Sequence, residues 1–171
     1  PRRIKGTIRL YPISIGRESY PIDPTGRHVW RPIAPSARVE VEMTAPSLRW
    51  QGNGYFDHNS GDAPLENDFS DWTWTRLSMP EGSTIFYDTA ARDGRSTSLA
   101  LRFDEKGKAF RFAPPPMLDM PMTKWRIKRK VRSDNAIGTA MRSLEDTPFY
   151  ARSAVTTSLN GICLSGMHES L

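Results

Sequence analysis

The sequence predicts an all-β fold, a sandwich or a barrel, and three observations predict it. Short segments in which apolar and polar residues alternate recur along the 171 residues. Proline (14) and glycine (12) lie scattered between them, as a chain of many turns requires. No segment sustains a helical period; only residues 136–144 could hold one short helix.

The elements follow in order. In residues 3–10, Ile4, Ile8 and Leu10 share one face, against Arg3, Lys5, Thr7 and Arg9. Residues 37–43 repeat this, with Val39, Val41 and Met43 opposite Arg38, Glu40 and Glu42. Residues 47–51 read as the next strand. Trp72 and Trp74 then alternate with Asp71, Thr73 and Thr75. Strands at 84–88, 98–104 and 108–112 follow, and the prolines of 113–117 form a stiff extended link. Residues 124–132 alternate cleanly, with Trp125, Ile127 and Val131 opposite Lys124, Arg126, Lys128, Lys130 and Arg132. Segments 151–159 and 162–169 close the chain. Asp104 to Gly107 and Asn160-Gly161 are hairpin-type turns, because Gly and Asn accept positive φ at low cost.

Composition narrows the function classes. A hydrophobic content of 37%, with 5 Trp, 7 Phe and 5 Tyr, is enough for a core and argues against general disorder. The single cysteine excludes an intrachain disulfide, and the three histidines lack metal-ligand spacing, so no metal is expected. No apolar run is long enough to be a membrane-spanning helix. The net charge of +5 is a weak sign of an anionic partner. The basic face at 124–132 fits either a solvated strand face or contact with an anionic lipid surface. Aromatics do not interleave on that face, so no nucleic acid partner is expected. The chain starts at Pro1 rather than Met and stops inside a strand pattern, which reads as a fragment cut at both ends.

The densest chemistry lies in residues 50–61, WQGNGYFDHNSG. Tyr55 and Asp57 stand two apart, so on a strand both face one cavity. His28 and Trp30 form a second such pair upstream. Asp57 beside aromatic neighbours reads as a poorly solvated carboxyl group kept neutral as a proton donor. The pattern alone favours the other reading, an aspartate that accepts backbone N–H bonds after a glycine-rich turn. Trp30 and Tyr55 offer π faces to a cation, or simply line a core. His28 could orient a water, accept its proton, or bond to Asp57. Within 143–153, Glu145 or Asp146 could pair with Arg152.

Taken together, GNGYFDHN at 52–59, DWTW at 71–74, Asp93-Gly94, the prolines 114–116, SLEDTPFYARS at 143–153 and HESL at 168–171 resemble the carotenoid 1,2-hydratase (hydroxyneurosporene synthase) family. The LEDTPFYAR run is the most specific part. The resemblance implies a lipocalin-like antiparallel β-barrel, the second of two tandem barrels. Residues 1–171 would form that domain, with 1–45 a candidate for the inter-barrel connection. It implies hydration of the terminal 1,2 double bond of acyclic carotenoids such as neurosporene and lycopene, without a cofactor. It also implies His28, Trp30, Tyr55 and Asp57 as the catalytic set. Related lipocalin-like proteins often carry a bulkier residue where Ser60 stands, which would alter the wall of the site. The rival readings are a lipocalin-like carrier of an apolar ligand, an isomerase or cyclase acting on another terpenoid or polyketide, and a nucleic-acid-binding barrel.

Overall fold

A computed structural model describes residues 3–135 and 140–171, apart from the side chain of Ala140. Among the described residues thirteen strands and one helical turn follow in order: β1 (Lys5–Pro12), β2 (Tyr20–Pro21), β3 (His28–Ala45), β4 (Ser47–Gly61), α1 (Leu65–Asp68), β5 (Phe69–Met79), β6 (Gly82–Ala91), β7 (Ser96–Phe103), β8 (Ala109–Arg111), β9 (Met117–Met120), β10 (Arg129–Arg132), β11 (Ala140–Thr147), β12 (Tyr150–Leu159) and β13 (Ile162–Ser170). Among the described residues every strand pairing is antiparallel, and the all-β expectation holds.

A seven-stranded sheet runs β11-β12-β13-β5-β6-β7-β8. In a second sheet, β3 has β4 along one edge and β1 and β2 along the other. The two sheets enclose one core, in which Tyr20, Ile22 and Trp30 meet Trp74, Ile85, Tyr87 and Leu101. The opposite face of the large sheet carries a second core. There Leu77, Phe86, Val155 and Leu164 pack under Met120 and Val131 of the β9–β10 hairpin. Strands buried on both faces read as continuous apolar runs, which is why β6 shows little alternation (GSTIFYDTAA).

Four sequence expectations are corrected. Residues 140–144, assigned to a short helix, belong to β11, where β12 supplies the pairing; 136–139 lie outside the described residues. Gly52-Asn-Gly54 is no turn but the interior of β4, paired with β3. A Cβ on Gly54 would lie 3.1 Å from Leu10 and 3.3 Å from Val39, so glycine lets β1 and β3 close over β4. The alternating strand at 124–132 shrinks to β10. Upstream of it the Thr123 hydroxyl accepts the N–H groups of Trp125 and Ile127, and Arg126 turns at φ 63°. The basic face breaks up accordingly: Arg129 is buried against the Pro121 carbonyl, and Arg132 pairs with Asp88 at 2.6 Å. Finally, Ser60 lies on the exposed face of β4, opposite to Asp57, so it forms no wall of the site. The turns at Gly107 and Asn160-Gly161 do adopt the expected positive φ.

Candidate active site

The site begins at the turn before β3. Asp23 accepts the backbone N–H of His28 at 2.7 Å and that of Thr25 at 2.8 Å. Burial works against its ionised form, but the Thr25 hydroxyl, which also donates to it, and these backbone bonds outweigh that and hold the carboxyl at about 2. The turn thereby fixes where β3 starts, and alternation along β3 sends His28 and Trp30 inward, both fully buried.

Strand β4 runs back along β3 with Asn59 opposite Trp30 and Asp57 opposite Pro32. Tyr55 and Asp57 therefore share a face beside Trp30. The Trp30 indole N–H donates to Asp57 Oδ2 at 2.8 Å and is shared with the Tyr55 hydroxyl oxygen at 3.2 Å. The Tyr55 hydroxyl donates to the same Oδ2 at 2.8 Å. Three of the four expected residues thus form one hydrogen-bonded set.

Aromatic rings surround that set. Tyr20 and Tyr87 lie 5.7 and 5.5 Å from the Trp30 ring, and Trp74 lies 4.9 Å from Tyr55. Burial pushes the Tyr55 phenol well above its ordinary value, and the Asp57 charge adds to this. The Tyr87 phenol rises for the same two reasons, with Glu169 contributing. Both phenols therefore stay protonated and can only donate or accept neutral bonds. Arg76, 5.7 Å from the Tyr55 ring centre, has its pKa lowered by burial; its Nε donates to the Pro35 carbonyl at 2.9 Å.

The fourth residue sits in a neighbouring set. His28 Nε2 meets Asp68 Oδ2 at 2.6 Å, and Asp68 also accepts from Arg27 at 3.2 Å. The Phe69 ring lies tilted against the imidazole, 5.0 Å away. A Cβ at position 61 would stand 2.5 Å from His28 Nδ1, so Gly61 makes room for the ring. Among the described residues His28 and Asp57 share no hydrogen bond.

Sequence reasoning missed Trp74, Tyr87, Arg76 and Asp68. The first two stand in segments correctly read as strands. Alternation tells which residues share a face but not that this face lies over Asp57. Arg152 meets Glu145 at 3.7 Å, as expected of that segment, and also Glu169 at 3.3 Å. The tip of this hairpin touches the site through Tyr150, 6.4 Å from the Trp72 ring. Among the described residues no group of three or more His, Cys, Asp or Glu side chains could hold a metal ion. No described helix is long and apolar enough to cross a membrane.

Comparison with known proteins gives the arrangement a context. The model of the carotenoid hydratase CrtC family matches residues 1–171. Over its whole length the chain is 47% identical to the acyclic carotenoid 1,2-hydratase of Thiocapsa roseopersicina, and it covers 43% of that protein. It is 40% identical to the acyclic carotenoid 1,2-hydratase of Rubrivivax gelatinosus, again over the whole chain and 43% of the relative. The hydratase of the same name from Cereibacter sphaeroides is 40% identical over 98% of this chain and 60% of its own. The chain thus spans about half the length of the curated relatives it matches. No solved structure matches it. Because the family match runs through every segment that builds the site, the chain belongs to the carotenoid hydratase CrtC family.

Proposed function

We propose that the protein to which this chain belongs adds water across the terminal 1,2 double bond of an acyclic carotenoid, with Asp57 as the proton donor. One observation carries the proposal: Asp57 Oδ2 accepts from both Trp30 and Tyr55. With Oδ2 committed as a double acceptor, Oδ1 is the oxygen left to carry a proton and present it. The relatives' name, acyclic carotenoid 1,2-hydratase, supports the substrate class.

A trisubstituted alkene is a weak base, so the reaction starts with proton transfer to carbon. The Asp57 Oδ1–H bond breaks as a C–H bond forms at C2, and a tertiary cation remains at C1. The π faces of Trp30, Tyr55 and Trp74 stabilise that charge, each by about 2 kcal/mol when desolvated. Water then forms the C1–O bond, and the oxonium proton returns to the Asp57 carboxylate. The protein ends unchanged, and no cofactor enters. His28 acts here as a positioning residue: its bond to Asp68 fixes the start of β3 and therefore Trp30.

Solvent deuterium tests where the proton goes. Full-length protein given lycopene in D₂O should yield a tertiary alcohol with one deuterium at C2. An alcohol without deuterium at C2 overturns the proposal.

The fold proposed for this unit is a lipocalin-like barrel, the second of two in the whole protein; the enclosed aromatic core between the sheets supports it. Substrate delivery from an anionic membrane surface belongs to the same reading. The turn before β10 holds up Lys124, Arg126 and Lys128 around Trp125, which is 58% exposed. Liposome binding should be stronger on anionic than on neutral vesicles and weaken at high salt; equal binding to both removes that part.

A further inference from the structure

The His28 Nε2 is engaged by Asp68, and the proposed steps give the attacking water no residue to hold it. The seven-stranded sheet supplies a candidate. Among the described residues five buried side-chain atoms have no hydrogen-bond partner, and two of these are the indole nitrogens of Trp72 and Trp74. Both side chains point from β5 toward the core between the sheets. An indole N–H only donates, and burying it unmet is unfavourable, so an oxygen atom is wanted there. Trp30 carries the same group and has it met by Asp57.

The two indoles are not equivalent. Trp74 is 7% exposed and lies 4.9 Å from the ring of Tyr55, whose hydroxyl bonds to Asp57. Across the sheet it faces Tyr87, whose ring lies 5.5 Å from that of Trp30. Trp72 instead lies between the rings of Tyr87, at 6.2 Å, and Tyr150, at 6.4 Å, and among the described residues reaches Asp57 only through Tyr87 and Trp30.

We propose that the indole N–H of Trp74 holds the oxygen of the attacking water and, in the reverse direction, the hydroxyl at C1 of the product. The proposal rests on Asp57 being the proton donor. A donor bond occupies one lone pair of the water and leaves the other to form the C1–O bond. Indole has no lone pair free to take a proton, so the oxonium proton goes to the Asp57 carboxylate. Atoms balance: Asp57 gives one proton to C2 and regains one from water.

Trp74→Phe tests this in the full-length protein, because phenylalanine keeps an aromatic ring and lacks the N–H. With lycopene, kcat should fall roughly 10-fold or more, while KM and the thermal midpoint stay close to the parent values. Trp72→Phe removes the other unmet indole N–H and should lower kcat less than Trp74→Phe does, because Trp72 makes no contact with Tyr55 among the described residues.

A second readout separates water placement from packing. In D₂O, Asp57 still deuterates C2 in the variant, but a cation that water fails to capture loses the C2 proton and reverts to alkene. Recovered lycopene should then carry deuterium at C2, and the ratio of exchange to hydration should rise above that of the parent. A Trp74→Phe protein with parental kcat and exchange ratio overturns the assignment. So does one that loses activity and stability together with the ratio unchanged. Neither outcome touches the role of Asp57, which stands or falls with Asp57→Asn.

Discussion

Asp57→Asn is expected to abolish hydration while leaving the fold intact. Asparagine keeps a carbonyl oxygen in the place of Oδ2, so the Trp30 indole and the Tyr55 hydroxyl retain their acceptor. The substitution removes only the proton carried on the other oxygen. General acids contribute about 10² to 10⁴ in rate where another proton source can substitute. Protonating carbon in a dry site has no such substitute, so a loss of at least about 10³ is expected. Turnover of lycopene by the full-length variant, with its near-UV dichroism and thermal midpoint, gives the answer. A folded variant that hydrates at the parental rate refutes the mechanism.

The second large effect is on stability and concerns a group outside the site. His168 is fully buried on the second-core side of the large sheet, with Nδ1 at 2.8 Å from the Thr75 hydroxyl and Nε2 at 2.8 Å from that of Ser170. Burial lowers its pKa to about 4, and the nearby Arg129 adds to the shift. The ordinary value, 6.5, holds once the chain unfolds. Between those values the unfolded chain binds a proton that the folded one refuses. Stability is therefore fully present above pH 6.5 and is lost as pH falls toward 4, by roughly 3 kcal/mol from this group. Urea midpoints from pH 7 down to 4 should fall, and His168→Gln, which retains a donor and an acceptor, should fall less steeply. Identical slopes for the two proteins would dismiss this account.

Legibility in the sequence followed period. Alternation at period two located most strands and put Tyr55 with Asp57, and His28 with Trp30, on shared faces. The resemblance then joined the pairs, and three of the four residues do converge on one oxygen. What stayed hidden depends on partners distant in sequence. That the His28 ring meets Asp68 depends on how α1 folds back, and no spacing encodes it. Trp74 and Tyr87 lie in the core beneath Asp57 only because two sheets stack, which a one-dimensional pattern does not record. The 124–132 strand failed for a local reason: the Thr123 hydroxyl ties two backbone N–H groups and turns the chain before the alternation can form a ladder.

The site also joins two unequal supports. Trp74 and Tyr87 stand on strands with a neighbour on each side and a second core behind them. Tyr55 and Asp57 stand on β4, whose only pairing among the described residues is with β3. Local opening starts where backbone bonds are fewest. The floor of the site is thus its stiff part, and the acid rides on an edge. On the proposed mechanism, a long rigid polyene would bring its C2 to Asp57 by peeling that edge outward rather than by threading a closed pore, and release of the alcohol would follow the same route.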